Sequence, residues 1–418
     1  MDVRRVTVAL ALVVAIAAPA GALPGDLDPT FGGDGLVAIA RPGEAQASAV
    51  AMQGTKIVVG GTQQRGEPSM VIARLRTGGA LDPGFGTAGI VNVAASDEGD
   101  WLDDLLVMSD GRILAVGGAD VNGRARFLLV RLLPDGRRDR TFGGDGIVTI
   151  GFAGGPASAE SVTLMPDGSI VTGGGVGEYP TGALAIARSL PNGRIDRSFS
   201  GDGRTTISFP TRPYAFVDDL VAWRSPADHV LVVGTARVPG EEPEDVAIVS
   251  LEPDGKLDRD FGGGDGKALF DHAVADRAGS VVLQPMGYFV VVGASNPGGE
   301  WGAMLVRFNA SGHIDHAWGT SGVAYHDVSP GFEHWTASTT AGRSIVVAGA
   351  FASAGGLIRV RANGTRDPDF GCGSVAVLYP GGTSGFSAVA IQDDGRIVAA
   401  GYTPDDSSIG FALARVLP

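Results

Sequence analysis

Leu27-Asp28-Pro29-Thr30-Phe31-Gly32 returns as Leu81-Asp82-Pro83-Gly84-Phe85-Gly86. The phrase recurs around Asp139 and Phe142, Asp196 and Phe199, Asp258 and Phe261, Asp315 and Trp318, and Asp367 and Phe370. Its aromatic positions lie 54, 57, 57, 62, 57 and 52 residues apart, so seven copies cover the chain at a period of about 57. Each copy reads as four short strands. In the first, residues 48–52 alternate small and apolar side chains, and Gln53-Gly54-Thr55 turns into 57–61. Then come 70–75 and, after the phrase, 90–93. Short β-branched runs divided by Asp-Gly and Asn-Gly are hairpin signals. Such turns fall at matching offsets, as at Asp110-Gly111, Asp167-Gly168 and Asp394-Gly395. Four strands repeated seven times predict an all-β chain, a seven-bladed β-propeller with four antiparallel strands per blade.

The two ends of the repeat array support closure. The last copy stops at a third strand, from Phe411 to Pro418, and the first opens with a fourth strand at 36–39. Together they complete one blade, so the N-terminal strand joins the C-terminal blade and no sheet edge is left open. Ahead of the repeats, Arg4 and Arg5 precede an apolar run over 6–18 and the small residues Ala20-Gly21-Ala22. These are the marks of a secretory signal peptide, residues 1–22, cleaved near Ala22 or at the rival site after Ala20. The run is too short for a span of about 20 residues. Residues 23–418 then form a single domain, expected outside the cell and without a membrane span. The one cysteine, Cys372, allows no internal disulfide, so the fold must rest on its core.

Composition narrows the function classes. Glycine accounts for 66 of 418 residues, far above its usual share of about 7%, without a collagen period. A formal charge of −14 with no basic cluster argues against nucleic acid, because neutralising phosphates needs grouped Lys and Arg. The recurring L-D-x-x-F-G-x-x-G-x-V element, with G-R-I-x-x-x-G and A-R-L-x-x-D-G between copies, resembles the delta-60 repeat family of secreted bacterial proteins over residues 27–418. That resemblance implies a propeller-type repeat and export, and brings no catalytic residues. Blade 4 departs from it most, with the 62-residue spacing and Ser250 where arginine is expected.

Three repeated columns read as structural. Gly61, Gly117, Gly174, Gly234, Gly293, Gly349 and Gly401 occupy one position of the second strand, where glycine marks a bulge or a close backbone approach. An arginine on the third strand precedes the aspartate of the phrase by about eight residues. This predicts ion pairs Arg74–Asp82, Arg131–Asp139, Arg188–Asp196, Arg307–Asp315 and Arg359–Asp367, with Asp28–Arg415 fastening the closure. Asp34, Asp145, Asp202 and Asp265 sit in Gly-rich loops whose composition suits calcium, but turn chemistry is favoured because three copies lack the acid.

Candidate binding residues are those that differ between blades on the first strand, expected to line the channel. They are Asp103 and Asp104, Glu160, Asp218 and Asp219, Arg277, and Glu333 with His334. Converging carboxylates raise one another's pKa and attract a cation, so a divalent cation is conceivable there, although no cofactor is required. His272, His313, His316 and His326 show no zinc spacing, and no nucleophile elbow, zincin or Walker motif is present. The leading expectation is a secreted, monomeric, non-enzymatic propeller binding a protein, glycan or envelope partner through one rim. The alternative is an extracellular metal-dependent hydrolase or lyase at the acidic channel mouth, using Asp103, Glu160, Asp218 and His334.

Overall fold

Ile57, Val58 and Val59 are all fully buried, yet they face two cores. Val58 packs towards blade 2, whereas Ile57 and Val59 pack towards blade 7. Successive side chains point to opposite faces of a strand. A sheet covered on both faces therefore needs an apolar run rather than alternation, and the second strand of every repeat supplies one, broken only by the buried Thr172 in blade 3. A computed structural model describes residues 22–41, 43–224, 228–240, 244–272, 275–328, 333–351, 354–373, 375–377, 385–403 and 410–418. Residues 1–21 of the segment read as a signal peptide lie outside the described residues, as does the thiol of Cys372.

The chain forms seven four-stranded antiparallel sheets, each in sequence order except one. Their first strands are Glu44–Gln53, Asp100–Val107, Ala157–Leu164, Tyr214–Arg224, Asp276–Leu283, Glu333–Ala341 and Gly385–Ile391. These touch one another in a closed circuit around an axis. Each of the seven seams between neighbouring blades has its own hydrophobic cluster. The seventh sheet is composite: Leu36–Ile39 pairs with Gly410–Val416, Leu36 opposite Ala414 and Ile39 opposite Phe411. The structure is thus a seven-bladed propeller closed by its N-terminal strand. No helix among the described residues is long and apolar enough to cross a membrane.

Every first strand carries one β-bulge at the same register. The extra residue is Ser48, Asp103, Glu160, Asp218, Gly279, Thr336 or Ser387 in blades 1 to 7. The glycine column lies opposite. A Cβ on any of its seven members would sit 1.8–2.1 Å from a carbonyl oxygen of the first strand. The bulge pushes the backbone of the first strand against the second, and only glycine leaves room.

At the other end of each blade the arginine column holds the seams. The Nε of Arg74, Arg131, Arg188, Arg307 and Arg359 donates to the aspartate of the phrase at 2.7–2.9 Å. Arg415 Nε lies 2.8 Å from Asp28 Oδ2. Each guanidinium also covers the aromatic ring of its phrase, as Arg131 covers Phe142 at 4.6 Å. Four reach further: Arg74, Arg131, Arg188 and Arg415 donate to the carbonyls of Pro134, Pro191, Pro253 and Thr77 in the following blade. Burial works against ionising Asp139, but Thr141 and then Arg112 and Arg131 hold it down at about 2. In blade 4, Ser250 Oγ donates to Asp258 at 3.0 Å, and Trp223 packs edge-on against Phe261.

Candidate functional site at the channel mouth

The bulges decide what reaches the axis. Asp218, Thr336 and Ser387, all bulge residues, line a central cavity of about 390 Å³ with Gln46, His334 and Tyr402. These six come from blades 1, 4, 6 and 7, so the cavity spans the axis. It opens on the face where the first strands begin and the second strands end. Three consecutive bulge residues, Asp103, Glu160 and Asp218, are acidic, whereas the other four are Ser, Gly, Thr and Ser.

Burial in this narrow channel disfavours the charged carboxylates. It raises Asp103 well above the ordinary range, with the charges of Glu160 and Asp104 adding to the effect. Asp103 Oδ2 is buried without a hydrogen-bond partner among the described residues. Burial likewise pushes Glu160 up to about 7. Asp218 is raised well above its usual value, first by burial and then by Glu160, Asp219 and Glu244, against the bond that Thr235 Oγ1 donates to it at 2.8 Å. The charged form is therefore disfavoured all along the acidic arc.

The residues after the bulges do something else. Asp104 Oδ2 accepts the Val162 N–H at 3.0 Å, and Asp219 Oδ2 accepts the Val281 N–H at 2.9 Å, each in the following blade. Ser161 Oγ donates to Asp219 at 2.8 Å, and Ser280 and Ser338 share a hydrogen bond further round. Asp104 and Asp219 are members of this belt between blades, raised by burial to about 7 and about 6. Glu333 is not a channel residue: it is fully buried, and accepts the Val328 N–H and the Trp335 indole N–H at 2.9 Å each. Asp100 and Asp276 accept loop N–H groups from the same strand position in blades 2 and 5. The first acid of these strands thus fastens the loop entering the blade.

Arg277 and His334 do lie at the mouth. His334 opens onto the cavity, and burial, then the charge of Arg277, lowers its imidazole below the ordinary value. Arg277 donates through Nε to Glu244 and stacks over the Trp301 ring at 4.7 Å. Glu244 also accepts from Arg237 at 3.0 Å, and Arg237 lies over Tyr214 at 4.9 Å. Tyr214, Arg237, Glu244, Arg277 and Trp301 form an unbroken chain of contacts across the seam of blades 4 and 5. Arg277 was a candidate from the sequence, whereas Gln46, Thr336, Ser387, Tyr402 and the other members of this chain, Tyr214, Arg237, Glu244 and Trp301, were not legible as site residues without the bulge register.

Other candidate clusters disperse. Asp34, Asp145, Asp202 and Asp265 each accept the N–H two residues on, at 2.9–3.1 Å, which closes a turn. His272, His313 and His316 are exposed and His326 lies on the outer strand of blade 5. Among the described residues, no three His, Cys, Asp or Glu side chains are grouped to hold a metal ion. Asp103, Glu160, Asp218 and His334 thus do not converge as a ligand set. A larger groove, about 1080 Å³, follows the outer rim of blades 2 and 3. There Asp202 and Arg204 lie 3.7 Å apart on an open surface, and the functional reading stays with the mouth.

A family model described as a domain of unknown function (DUF5122) beta-propeller matches residues 56–85, 109–142, 166–199 and 343–370. These are equivalent stretches of blades 1, 2, 3 and 6, which places the chain with propeller repeat proteins. No curated protein matches it in sequence. Among solved structures, it is similar to polysaccharide lyase Uly1, with a TM-score of 0.51, 11% identity and 90% of each chain covered. It is also similar to the GH93 alpha-L-arabinofuranosidase of Fusarium graminearum in complex with arabinobiose, with a TM-score of 0.44 and 13% identity over 75% of this chain and 91% of that one. At such identities the likeness is one of fold alone.

Proposed function

We propose that this chain is an exported, non-enzymatic propeller that binds an extracellular partner through the rim around the channel mouth. Export rests on Arg4, Arg5 and the apolar run over 6–18. The observation that carries the binding reading is how the side chains divide. The repeated arginine, aspartate and glycine columns are engaged in seams and bulges, whereas Asp218, Arg277 and His334, which belong to single blades, meet at one mouth. Function on a repeat scaffold is placed by what breaks the repeat.

The test is sedimentation of the purified chain with bacterial envelope particles. Arg277→Ala/His334→Ala should weaken binding at least tenfold. Exposed substitutions on the opposite rim, Arg137→Ala/Met286→Ala, should leave it unchanged. The reverse pattern would move the binding surface to the other rim. A second reading, acid–base catalysis at the same mouth, is favoured by one observation: Glu160 titrates at about 7, within reach of both protonation states at neutral pH. Turnover lost in Glu160→Gln would select it over simple binding.

A further inference from the structure

Resting on the mouth as the binding surface, we propose that its ligand is a neutral oligosaccharide. One chain end enters the central cavity, and the units behind it lie along the aromatic ledge of blades 3 to 5. The cavity, about 390 Å³, is at the small end of ligand pockets and suits one or two sugar units. Its wall supplies what a polyol needs. Gln46, Thr336, Ser387, Tyr402 and His334 offer amide, hydroxyl and imidazole groups that donate or accept without net charge. Phe386 adds an apolar face to the same wall.

Outside the cavity lies a tier of rings held in place by cations. Arg277 backs Trp301, and Arg237 backs Tyr214 and, at 5.9 Å, Tyr179. Tyr179 meets Tyr214 at 5.6 Å and is 59% exposed. A pyranose presents a C–H face that packs on an aromatic ring and an equatorial belt of hydroxyls that must find partners. Rings already fixed by stacked guanidinium groups lose little freedom on binding. Glu244 and the two arginines edge the rings with hydrogen-bonding groups.

Charge selects neutral sugars. The two guanidinium groups share Glu244, and the chain as a whole carries a formal charge of −14. A polyuronate would approach against that field and meet arginines already occupied.

Calorimetric titration with six neutral linear hexasaccharides, of glucose (β-1,4 and α-1,4), xylose, mannose, galactose and N-acetylglucosamine, tests the proposal beside a hexauronate. At least one neutral chain should bind. Tyr179→Ala is exposed enough to leave folding intact and should weaken it about threefold, and Trp301→Ala at least tenfold, which corresponds to about 1.4 kcal/mol. The melting temperature of each variant separates lost contacts from lost structure. The saccharide inference is overturned if no neutral chain binds, if only the hexauronate binds, or if Tyr179→Ala and folded Trp301→Ala bind as tightly as the parent. Envelope sedimentation that still depends on Arg277 and His334 would in that case leave the mouth as the binding surface for a different partner. Loss of that dependence would remove the binding surface itself.

Discussion

Replacing Glu160 by glutamine tests whether the channel holds a proton near neutral pH. The glutamate occupies the bulge of blade 3, and burial raises it from 4.5 to about 7. A carboxyl with a raised folded-state pKa binds its proton more tightly in the native chain than in the unfolded one. Its stabilising contribution is therefore complete below 4.5 and is lost as the pH rises through 7. At 1.36 kcal/mol per pH unit of displacement, the loss above pH 7 totals about 3 kcal/mol. Glutamine keeps the shape and the hydrogen-bonding capacity without the titration. Urea unfolding at pH 5 and pH 8 reads the difference. By pH 5 the unfolded glutamate is already largely ionised, so a little of the loss has occurred. Between the two pH values the variant should accordingly lose about 2.5 kcal/mol less stability than the parent chain. Identical pH dependence in the two proteins would refute the account of a buried, protonated arc. So would a gain for the variant at pH 5 that disappears at pH 8.

Two further predictions concern the frame. Arg415→Ala takes the more buried of two cations from Asp28, 1% exposed, leaving it Arg396 at 2.9 Å, and removes the link to Thr77 of blade 1. Thermal and chemical unfolding should show a loss of about 3 kcal/mol, the low end of the usual cost of breaking a buried pair by removing one partner, because Arg396 still faces the carboxylate. Arg359→Ala, at a more exposed latch, should cost less. Gly174→Ala places a Cβ 1.8 Å from the Ser158 carbonyl oxygen, whereas Gly175→Ala, one residue on, meets only Phe216 Cβ at 3.4 Å. The first should cost about 3 kcal/mol through overpacking and the second under about 1 kcal/mol, by the same unfolding measurements. Equal losses would show that the bulge is not what the glycine column serves.

What could be read from the chain before folding follows from which features repeat. The phrase around Phe31 to Phe370 recurs with every blade, and the arginine ahead of it with every blade but the fourth, so spacing alone suggests four strands, seven sheets and the arginine–aspartate geometry. The destination of each guanidinium beyond its aspartate was hidden, because the Pro134, Pro191 and Pro253 carbonyls carry no side-chain signal. The channel was only half legible for a sharper reason. Around a bulge, adjacent residues no longer alternate simply between faces, so Asp103 and Asp104 look equivalent in sequence. In three dimensions Asp103 sits in the acidic arc, while Asp104 accepts a backbone N–H of the next blade. Asp218 and Asp219 divide in the same way. Glu333, one residue ahead of His334, turns inward to fasten a loop, while its neighbour opens on the cavity. The signal that would have separated them was present: seven aligned glycines on the second strand mark where the first strand bulges. Counting inward from that column places Ser48, Asp103, Glu160, Asp218, Gly279, Thr336 and Ser387 at one register. Their unequal chemistry then puts the acidic arc on blades 2 to 4 and leaves the other side of the channel to the hydroxyls of Ser48, Thr336 and Ser387 and to Gly279.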